Sequence, residues 1–167
     1  MVGGGDGTIK LWTPDLKDAQ TLSASDDGVL TMTHIDSLLY AGCISGTINL
    51  WDLDTFQLIR RVGAHQSDVL SLSGIGGFAF SGSAKGFLKK WDLSYVSREC
   101  YFNVSRGFEC KNKWQAHSGI VLSSAIGGNR LITGGNDCYV AVWDINACVP
   151  SEQKEETGFH SQKLRLI

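Results

Sequence analysis

Histidine, serine, aspartate and cysteine are the side chains here that could form a nucleophilic centre. One such set contains His65, Ser67, Asp68 and Cys43. A nucleophile must lie within hydrogen-bond reach of its base. His65, however, is predicted in a turn, and Cys43 on a strand of a different unit of the chain. We therefore interpret His65, and His117 in a similar context, as structural anchors of turns.

Metal chemistry is not indicated by residue spacing either. His34 and His160 have no companions at ligand spacing. The cysteines are odd in number and include no C-x-x-C pair: Cys43, Cys100, Cys110, Cys138 and Cys148. A zinc site or a disulfide framework needs paired spacing. The sequence therefore predicts free thiols, no metal and no cofactor.

A glycine-rich segment, Val2–Gly7, superficially resembles a phosphate-binding loop. Such a loop leads into a helix N-terminus and carries a following Lys-Ser/Thr pair. This segment leads into a predicted strand and lacks that pair. No catalytic constellation is predicted, and we expect a protein that is not an enzyme.

Length and composition narrow the class of protein. The 167 residues suffice for one ordinary domain, and 43% are hydrophobic. A net charge of −2 provides no overall attraction to nucleic acid or an anionic membrane. No apolar run approaches the ~20 residues of a membrane span, and the N-terminal residues do not resemble a signal peptide. An intracellular protein, cytoplasmic or nuclear, is expected.

A repeat with a period near forty residues organises the chain. Trp12, Trp51, Trp91 and Trp143 are separated by 39, 40 and 52 residues, and each follows a run of small residues. Apolar residues alternate with period two inside each unit, which is typical of strands. In the second unit the predicted strands are Val29–Thr33, Leu38–Ala41, Thr47–Trp51 and Phe56–Arg60. Four short strands per unit predict a propeller blade.

These units resemble WD repeats. Ala64-His65 and Ala116-His117 match the family's His signal, and each His precedes its Trp by 26 residues. In the family, a His, a Ser or Thr, an Asp and the Trp form a hydrogen-bonded tetrad. The resemblance therefore implies partners for a buried indole and a buried imidazole.

The resemblance assigns the tetrad positions unit by unit. The last unit has all four members: His117, Thr133, Asp137 and Trp143. The third unit has three members and a lysine, Lys85, at the Asp position: His65, Ser81 and Trp91. The two earlier units retain fewer members: Asp6 and Trp12 in the first, Trp51 in the second.

The predicted fold is all-β: an incomplete β-propeller of about three and a half four-stranded WD-repeat blades, an open arc or a fragment. The units span about 1–25, 26–63, 64–115 and 116–149, and residues 150–167 are predicted to be a flexible tail. Three explanations stay open. In the first, the chain is part of a larger propeller. In the second, it is a half-ring that is completed by a second copy or another propeller. In the third, it is a four-blade ring that is completed by residues 163–167.

The 52-residue spacing indicates an insertion of about twelve residues. We predict it between the fourth strand of the third unit and the first strand of the next, over Ser94–Trp114. Residues 85–113 contain seven Lys or Arg and three acidic residues, a local charge of +4. Candidate partner-binding residues are Lys85, Arg98, Arg106, Phe108, Lys111, Lys113 and Trp114. The alternative is that Tyr101 and Phe102 are core residues of the fourth strand and that the lysine side chains form a solvated rim.

Two functional hypotheses follow. The first is a non-catalytic scaffold that binds a protein or peptide partner through loops on one propeller face, without nucleic acid or membrane. The second rests on the runs Trp114–Ser124 and Gly134–Ile145, which resemble the WD-repeat part of fungal metallopeptidase-like subunits that degrade glutathione. That resemblance implies a larger enzyme subunit whose catalytic domain lies outside this chain.

Overall fold

The computed structural model describes residues 1–17, 19–23, 27–93, 108–146 and 161–165. The described residues form fifteen strands. The first seven are β1 (Val2–Gly3), β2 (Thr8–Trp12), β3 (Ala19–Ser23), β4 (Val29–Ile35), β5 (Leu38–Cys43), β6 (Thr47–Asp52) and β7 (Leu58–Gly63). The others are β8 (Val69–Ile75), β9 (Phe78–Ser83), β10 (Phe87–Asp92), β11 (Glu109–Gln115), β12 (Val121–Gly127), β13 (Arg130–Gly135), β14 (Tyr139–Asp144) and β15 (Ser161–Arg165).

The strands form four antiparallel sheets in which each strand pairs with its neighbour in the sequence. Blade one is the three-stranded sheet β1–β3. Blades two, three and four are the four-stranded sheets β4–β7, β8–β11 and β12–β15. This architecture confirms the predicted fold class, an all-β incomplete propeller of about three and a half blades. Within the described part of the chain, no helix has the length and apolar character needed to cross a membrane.

Neighbouring blades pack face to face, and each interface has its own apolar cluster. Trp51 packs with residues of blade one, Trp91 with residues of blade two, and Trp143 with residues of blade three. These three indoles are at most 3% exposed, whereas Trp12, in the first described blade, is 39% exposed. The tryptophan of each blade thus fastens it to the blade before, and burial of such a side chain stabilises the fold by about 1.5–3 kcal/mol.

The insertion in blade three lies in a different connection from the one predicted. β10 ends at Asp92, β11 begins at Glu109, and these two residues are opposite each other in the sheet. β11 is therefore the fourth strand, and the connection with the extra residues joins the third strand to the fourth. It leaves the blade at the end opposite His65 and His117, so the predicted location was wrong. β11 ends two residues before His117, just as β7 ends two residues before His65.

The end of the chain also differs from the prediction of a flexible tail. Residues 161–165 form β15, which pairs antiparallel with β14, Tyr139 lying opposite Arg165 and Trp143 opposite Ser161. β15 supplies the fourth strand of blade four and covers an edge of β14 that would otherwise be unpaired. The remaining residues of the predicted tail, 150–160 and 166–167, lie outside the described part.

The turn between the second and third strands requires a left-handed residue in each blade. In blade three this residue is Gly86, with φ of 78°, and in blade four it is Cys138, with φ of 65°. A Cβ on Gly86 would lie 2.3 Å from the carbonyl oxygen of His117. Glycine therefore lets the turn of blade three approach the histidine turn of blade four closely.

Candidate functional site

Blade four brings its four predicted tetrad residues into one chain of hydrogen bonds. Trp143 on β14 donates its indole N–H to Thr133 Oγ1 on β13 at 3.0 Å. Thr133 Oγ1 lies 2.9 Å from His117 Nε2, and His117 Nδ1 lies 2.9 Å from Asp137 Oδ1. An indole only donates and a carboxylate only accepts. The chain therefore runs in one direction, with the threonine donating to Nε2 and the imidazole donating from Nδ1.

Asp137 also closes the turn that carries it. Its carboxylate accepts backbone N–H groups from Ser118 at 3.0 Å and from Tyr139 at 3.2 Å. Desolvation opposes ionisation of this carboxyl, but the hydrogen bonds from His117, Ser118 and Tyr139 outweigh it and lower the pKa of Asp137. The ionised carboxylate of Asp137 thus stabilises the turn of blade four.

Blade three repeats the first two links of this chain and then stops. Trp91 donates its indole N–H to Ser81 Oγ at 2.8 Å, and Ser81 Oγ lies 2.7 Å from His65 Nε2. Ser81 Oγ accepts from the indole and can donate its own hydrogen to Nε2, and in that tautomer the proton of the neutral imidazole lies on Nδ1. Within the described ranges, His65 Nδ1 has no hydrogen-bond partner. In that tautomer blade three ends its series of hydrogen bonds in a donor.

Lys85 occupies the position that Asp137 has in blade four, and a serine closes the turn instead. Ser83 Oγ accepts the backbone N–H of Phe87 and lies equally close, at 3.3 Å, to the Phe87 carbonyl oxygen. Gln115 Nε2 donates to the carbonyl oxygen of Lys85 at 3.0 Å and to that of His117. The Lys85 side chain is exposed and has no part in closing its turn.

A cavity of about 320 Å³ opens beside His65. It lies where the turn before β8 meets the turn between β9 and β10, and lysines from three points of blade three surround it: Lys85, Lys89 and Lys113. Lys113 Nζ lies 4.2 Å from the Phe87 ring centroid, and Lys89 Nζ donates to the carbonyl oxygen of Ala64. The walls thus combine three cations with an imidazole N–H.

The cavity environment holds His65 in its neutral form. Burial, together with the charges of Lys89 and Lys113, lowers the pKa of His65 to about 4 against the opposing effect of a hydrogen bond involving Ser81. The imidazole therefore stays an uncharged donor near neutral pH, while the adjacent lysines provide the positive charge.

The other predicted partner-binding residues are dispersed. Phe108 is 3% exposed and stacks on Trp91, with ring centroids 4.7 Å apart, and Trp114 is 8% exposed against Trp143. Lys111 pairs with Glu109 at 3.0 Å and Asp92 at 3.6 Å, at the end of the blade away from the cavity. The remaining predicted residues lie outside the described part: Arg98, Arg106, Tyr101 and Phe102.

The first two blades hold the remaining predicted tetrad residues. Asp6 Oδ1 accepts the backbone N–H of Thr8 at 3.0 Å and the Thr8 hydroxyl at 2.8 Å, and these bonds lower the pKa of Asp6. Asp6 thus closes its own turn as Asp137 does. Trp51 is 1% exposed, and Trp12 borders a second, more apolar cavity with Phe56 and Leu53.

Sequence reasoning missed Lys89 and the cavity itself, and it considered Ser67 only as part of a nucleophilic set. Lys89 alternates on β10 with the buried residues Leu88 and Lys90, and Lys113 lies directly opposite it on β11. Since side chains opposite each other in a sheet share a face, correct placement of β11 would have predicted that these two lysines are neighbours. Ser67 carries a buried hydroxyl without a hydrogen-bond partner in the described structure, and nothing in the local sequence marks it.

Known proteins share this architecture. Residues 108–144 match the family model described as WD domain, G-beta repeat. The computationally designed Ika4 protein is similar at a TM-score of 0.72 and 24% identity, over 86% of this chain and 82% of that chain. The designed Ika8 protein has a TM-score of 0.68 at 25% identity, over 86% and 42%. A chain of the mitotic checkpoint complex has a TM-score of 0.70 at 25% identity, over 84% and 43%.

A curated protein also matches in sequence. The probable di- and tripeptidase DUG2 of Saccharomyces cerevisiae is 30% identical over 160 residues, which cover 86% of this chain and 16% of that protein. This chain therefore spans about one sixth of the length of that curated relative. The match agrees with the resemblance of residues 114–124 and 134–145 to fungal peptidase-like subunits.

Proposed function

We propose that this chain, which has propeller-like blades and matches the WD-domain family model over residues 108–144, is a non-catalytic protein-interaction module. Its blades are held by buried tryptophans and by the hydrogen bonds of the tetrads, so the turns between strands are fixed in position. Fixed turns on a rigid framework are where binding residues commonly lie. The proposed binding edge is the one that contains the histidine turns of blades three and four.

The cavity beside His65 is the observation that carries this proposal. Lys85, Lys89 and Lys113 come from one turn and two strands, yet they meet there around one opening. Lys85 and Lys113 are exposed, and Lys89 is partly so. An exposed, concave group of donors with no role in closing the blade is a natural contact surface for a peptide.

The experiment that tests the scaffold is a binding assay with defined peptides. Purified chain is applied to an array of acidic, neutral and basic peptides, and hits are measured by calorimetry. We expect saturable one-to-one binding of a subset, weakened in Lys85→Glu/Lys113→Glu. The matched double variant Lys10→Glu/Lys17→Glu, which changes the same charge on blade one, leaves binding unchanged. Absence of any saturable peptide, or equal effects of the two double variants, overturns the proposal.

A second candidate function is the propeller part of a larger peptidase subunit, as in the glutathione-degrading fungal proteins. Identity of 30% to a probable di- and tripeptidase over most of this chain favours it. Within the described ranges, no group of three or more His, Cys, Asp or Glu side chains is arranged to hold a metal ion. In this candidate, metal and peptidase chemistry would belong to residues beyond this chain.

Two measurements test the peptidase candidate. The adjoining genomic reading frame should contain a His, Asp and Glu metallopeptidase pattern, and a frame without one argues against the candidate. Purified chain should hydrolyse neither dipeptides nor glutathione in the presence of zinc or manganese. Turnover by the chain alone, retained through repeated purification, would overturn the non-catalytic assignment.

A further inference from the structure

The tetrads of blades three and four differ at one place that has consequences for binding. In blade four the Asp137 carboxylate accepts from His117 Nδ1 and from the backbone N–H of Ser118. In blade three the corresponding donors are His65 Nδ1 and the backbone N–H of Gln66, and the residue at the aspartate position is Lys85. Blade three therefore has the corresponding donors, but a cationic lysine in place of the carboxylate acceptor of blade four.

The replacement also leaves space beside the donors. The cavity of about 320 Å³ is bordered by His65, Gln66 and Lys85 themselves, together with Lys89 and Lys113. Ser67, a further lining residue, has a buried hydroxyl without a hydrogen-bond partner among the described residues. A carboxylate or phosphate is much smaller than this volume, so either group fits with the chain that carries it.

We infer that the cavity beside His65 binds an acidic group of a peptide partner, a carboxylate or a phosphate, in the place that the Asp137 carboxylate occupies in blade four. The group accepts from His65 Nδ1 and takes charge-assisted hydrogen bonds from the surrounding lysines. This inference rests on the proposed function, because it names the partner chemistry of that same surface.

The charge of the walls favours a negative ligand. The ammonium groups of Lys85, Lys89 and Lys113 only donate, and their positive charges repel a cationic group, whereas an anion can accept from them. Lys89 and Lys113 already influence His65 through space, since their charges contribute to the low pKa of its imidazole. An entering anion would compensate these like charges, which binding of a neutral side chain cannot do.

Small acidic probes test the site without knowledge of the partner. The full chain is titrated with N-acetylglutamate amide and N-acetylphosphoserine amide at constant ionic strength, with the glutamine and serine analogues as neutral controls. Nitrogen and proton NMR shifts of the His65 ring and of the Gln66 amide report binding. We expect saturable shifts, in the millimolar range, for at least one acidic probe and none for the neutral analogues, while the His117 ring signals stay unchanged.

Two variants make the result specific. Lys85→Asp places a carboxylate at the site and should weaken acidic-probe binding at least tenfold. If this variant does not fold, Lys113→Gln serves instead and should also weaken binding, whereas Lys10→Gln on blade one should not. Saturation by glutamate, by phosphoserine or by both supports the inference and identifies the preferred group. Shifts that do not saturate, that occur equally with neutral probes, or that survive Lys85→Asp overturn it.

The outcome separates this inference from the proposed scaffold function. Peptides that bind equally well whether acidic or neutral, and equally in Lys85→Asp, but more weakly in Lys85→Glu/Lys113→Glu, would uphold the scaffold and overturn the acidic site. Saturable binding of the small acidic probes without any peptide binding would uphold the site and overturn the scaffold.

Discussion

Blades three and four use the same hydrogen-bonded framework for different purposes. In both, an indole donates to a hydroxyl on the second strand, and that hydroxyl contacts Nε2 of a histidine. Blade four completes the series of hydrogen bonds with Asp137, whose carboxylate also accepts the backbone N–H groups of Ser118 and Tyr139. Blade three closes its turn through Ser83 and presents Lys85 at the equivalent position.

The difference shows how a repeat protein can free one position for binding. The buried half of the tetrad, Trp91 and Ser81 in blade three, fixes the blade and is kept. The other half lies in the turns, where blade three closes its turn without a carboxylate because Ser83 hydrogen-bonds Phe87. Replacement of the aspartate at this tetrad position therefore leaves donors available to a ligand, while the core of the blade is little disturbed.

The largest effect is expected from removing the shared indole. Trp91→Ala and Trp143→Ala should each lower the free energy of unfolding by about 3–5 kcal/mol, because each leaves a cavity in a blade interface. Urea denaturation measures this, with the more exposed Trp12→Ala as a control expected to cost about 1 kcal/mol or less. Losses in the two blades that differ by more than 2 kcal/mol would contradict a common framework.

Acid should weaken blade three through His65. Its pKa is about 4 in the folded chain and 6.5 in the reference state, so between these pH values the unfolded chain binds the extra proton. Stability contributed by neutral His65 is fully present above pH 6.5 and falls as the pH falls, by at most about 3 kcal/mol. Urea denaturation at pH values from 7 to 4.5 gives the free energy of unfolding as a function of pH, and this free energy should fall less steeply with falling pH in His65→Gln than in the unmodified chain. An unchanged slope would contradict the buried neutral imidazole.

Replacing the carboxylate of blade four should have an intermediate effect. Asp137→Asn keeps one acceptor oxygen but loses the charge that His117, Ser118 and Tyr139 hydrogen-bond, and should cost about 1–3 kcal/mol. Thermal and urea unfolding measure the loss. Asp6→Asn, whose hydrogen bonds are exposed, is the matched control and should cost less. A neutral Asp137→Asn would mean that blade four does not depend on its complete tetrad.

The smallest effect is expected from giving blade three the residue of blade four. Lys85→Asp supplies an acceptor for His65 Nδ1 and should raise stability by about 1 kcal/mol. The same change should raise the pKa of His65, because a carboxylate favours the charged imidazole. Urea denaturation and NMR titration of the His65 ring measure the two effects, with Lys85→Gln as the control. A fall in the pKa of His65 would contradict the equivalence of the two positions.

The repeat and its strands were predictable because their signals are local. Strand periodicity, turn glycines and the regular tryptophan spacing predicted the fold class. The resemblance to WD repeats, supported by the His-to-Trp spacing, assigned the blade-four residues that the structure joins. The position of β11 was mispredicted because the insertion interrupts the period. Counting back from His117 would have corrected it. β15 was anticipated only in the four-blade alternative, which named residues 163–167, because residues 161–165 acquire a strand role by pairing with β14.

By itself the sequence determined what the blades are made of: short strands, one repeating tryptophan per blade and, in blade three, a lysine where blade four has its aspartate. Only the tertiary structure decided what meets across the blades. Phe108 is a core residue because the strand register brings it onto Trp91. Lys113 lies near His65, 48 residues earlier in the chain, because β11 pairs with β10 beside the histidine turn. Such contacts depend on register and on packing between sheets, which residue spacing alone does not specify.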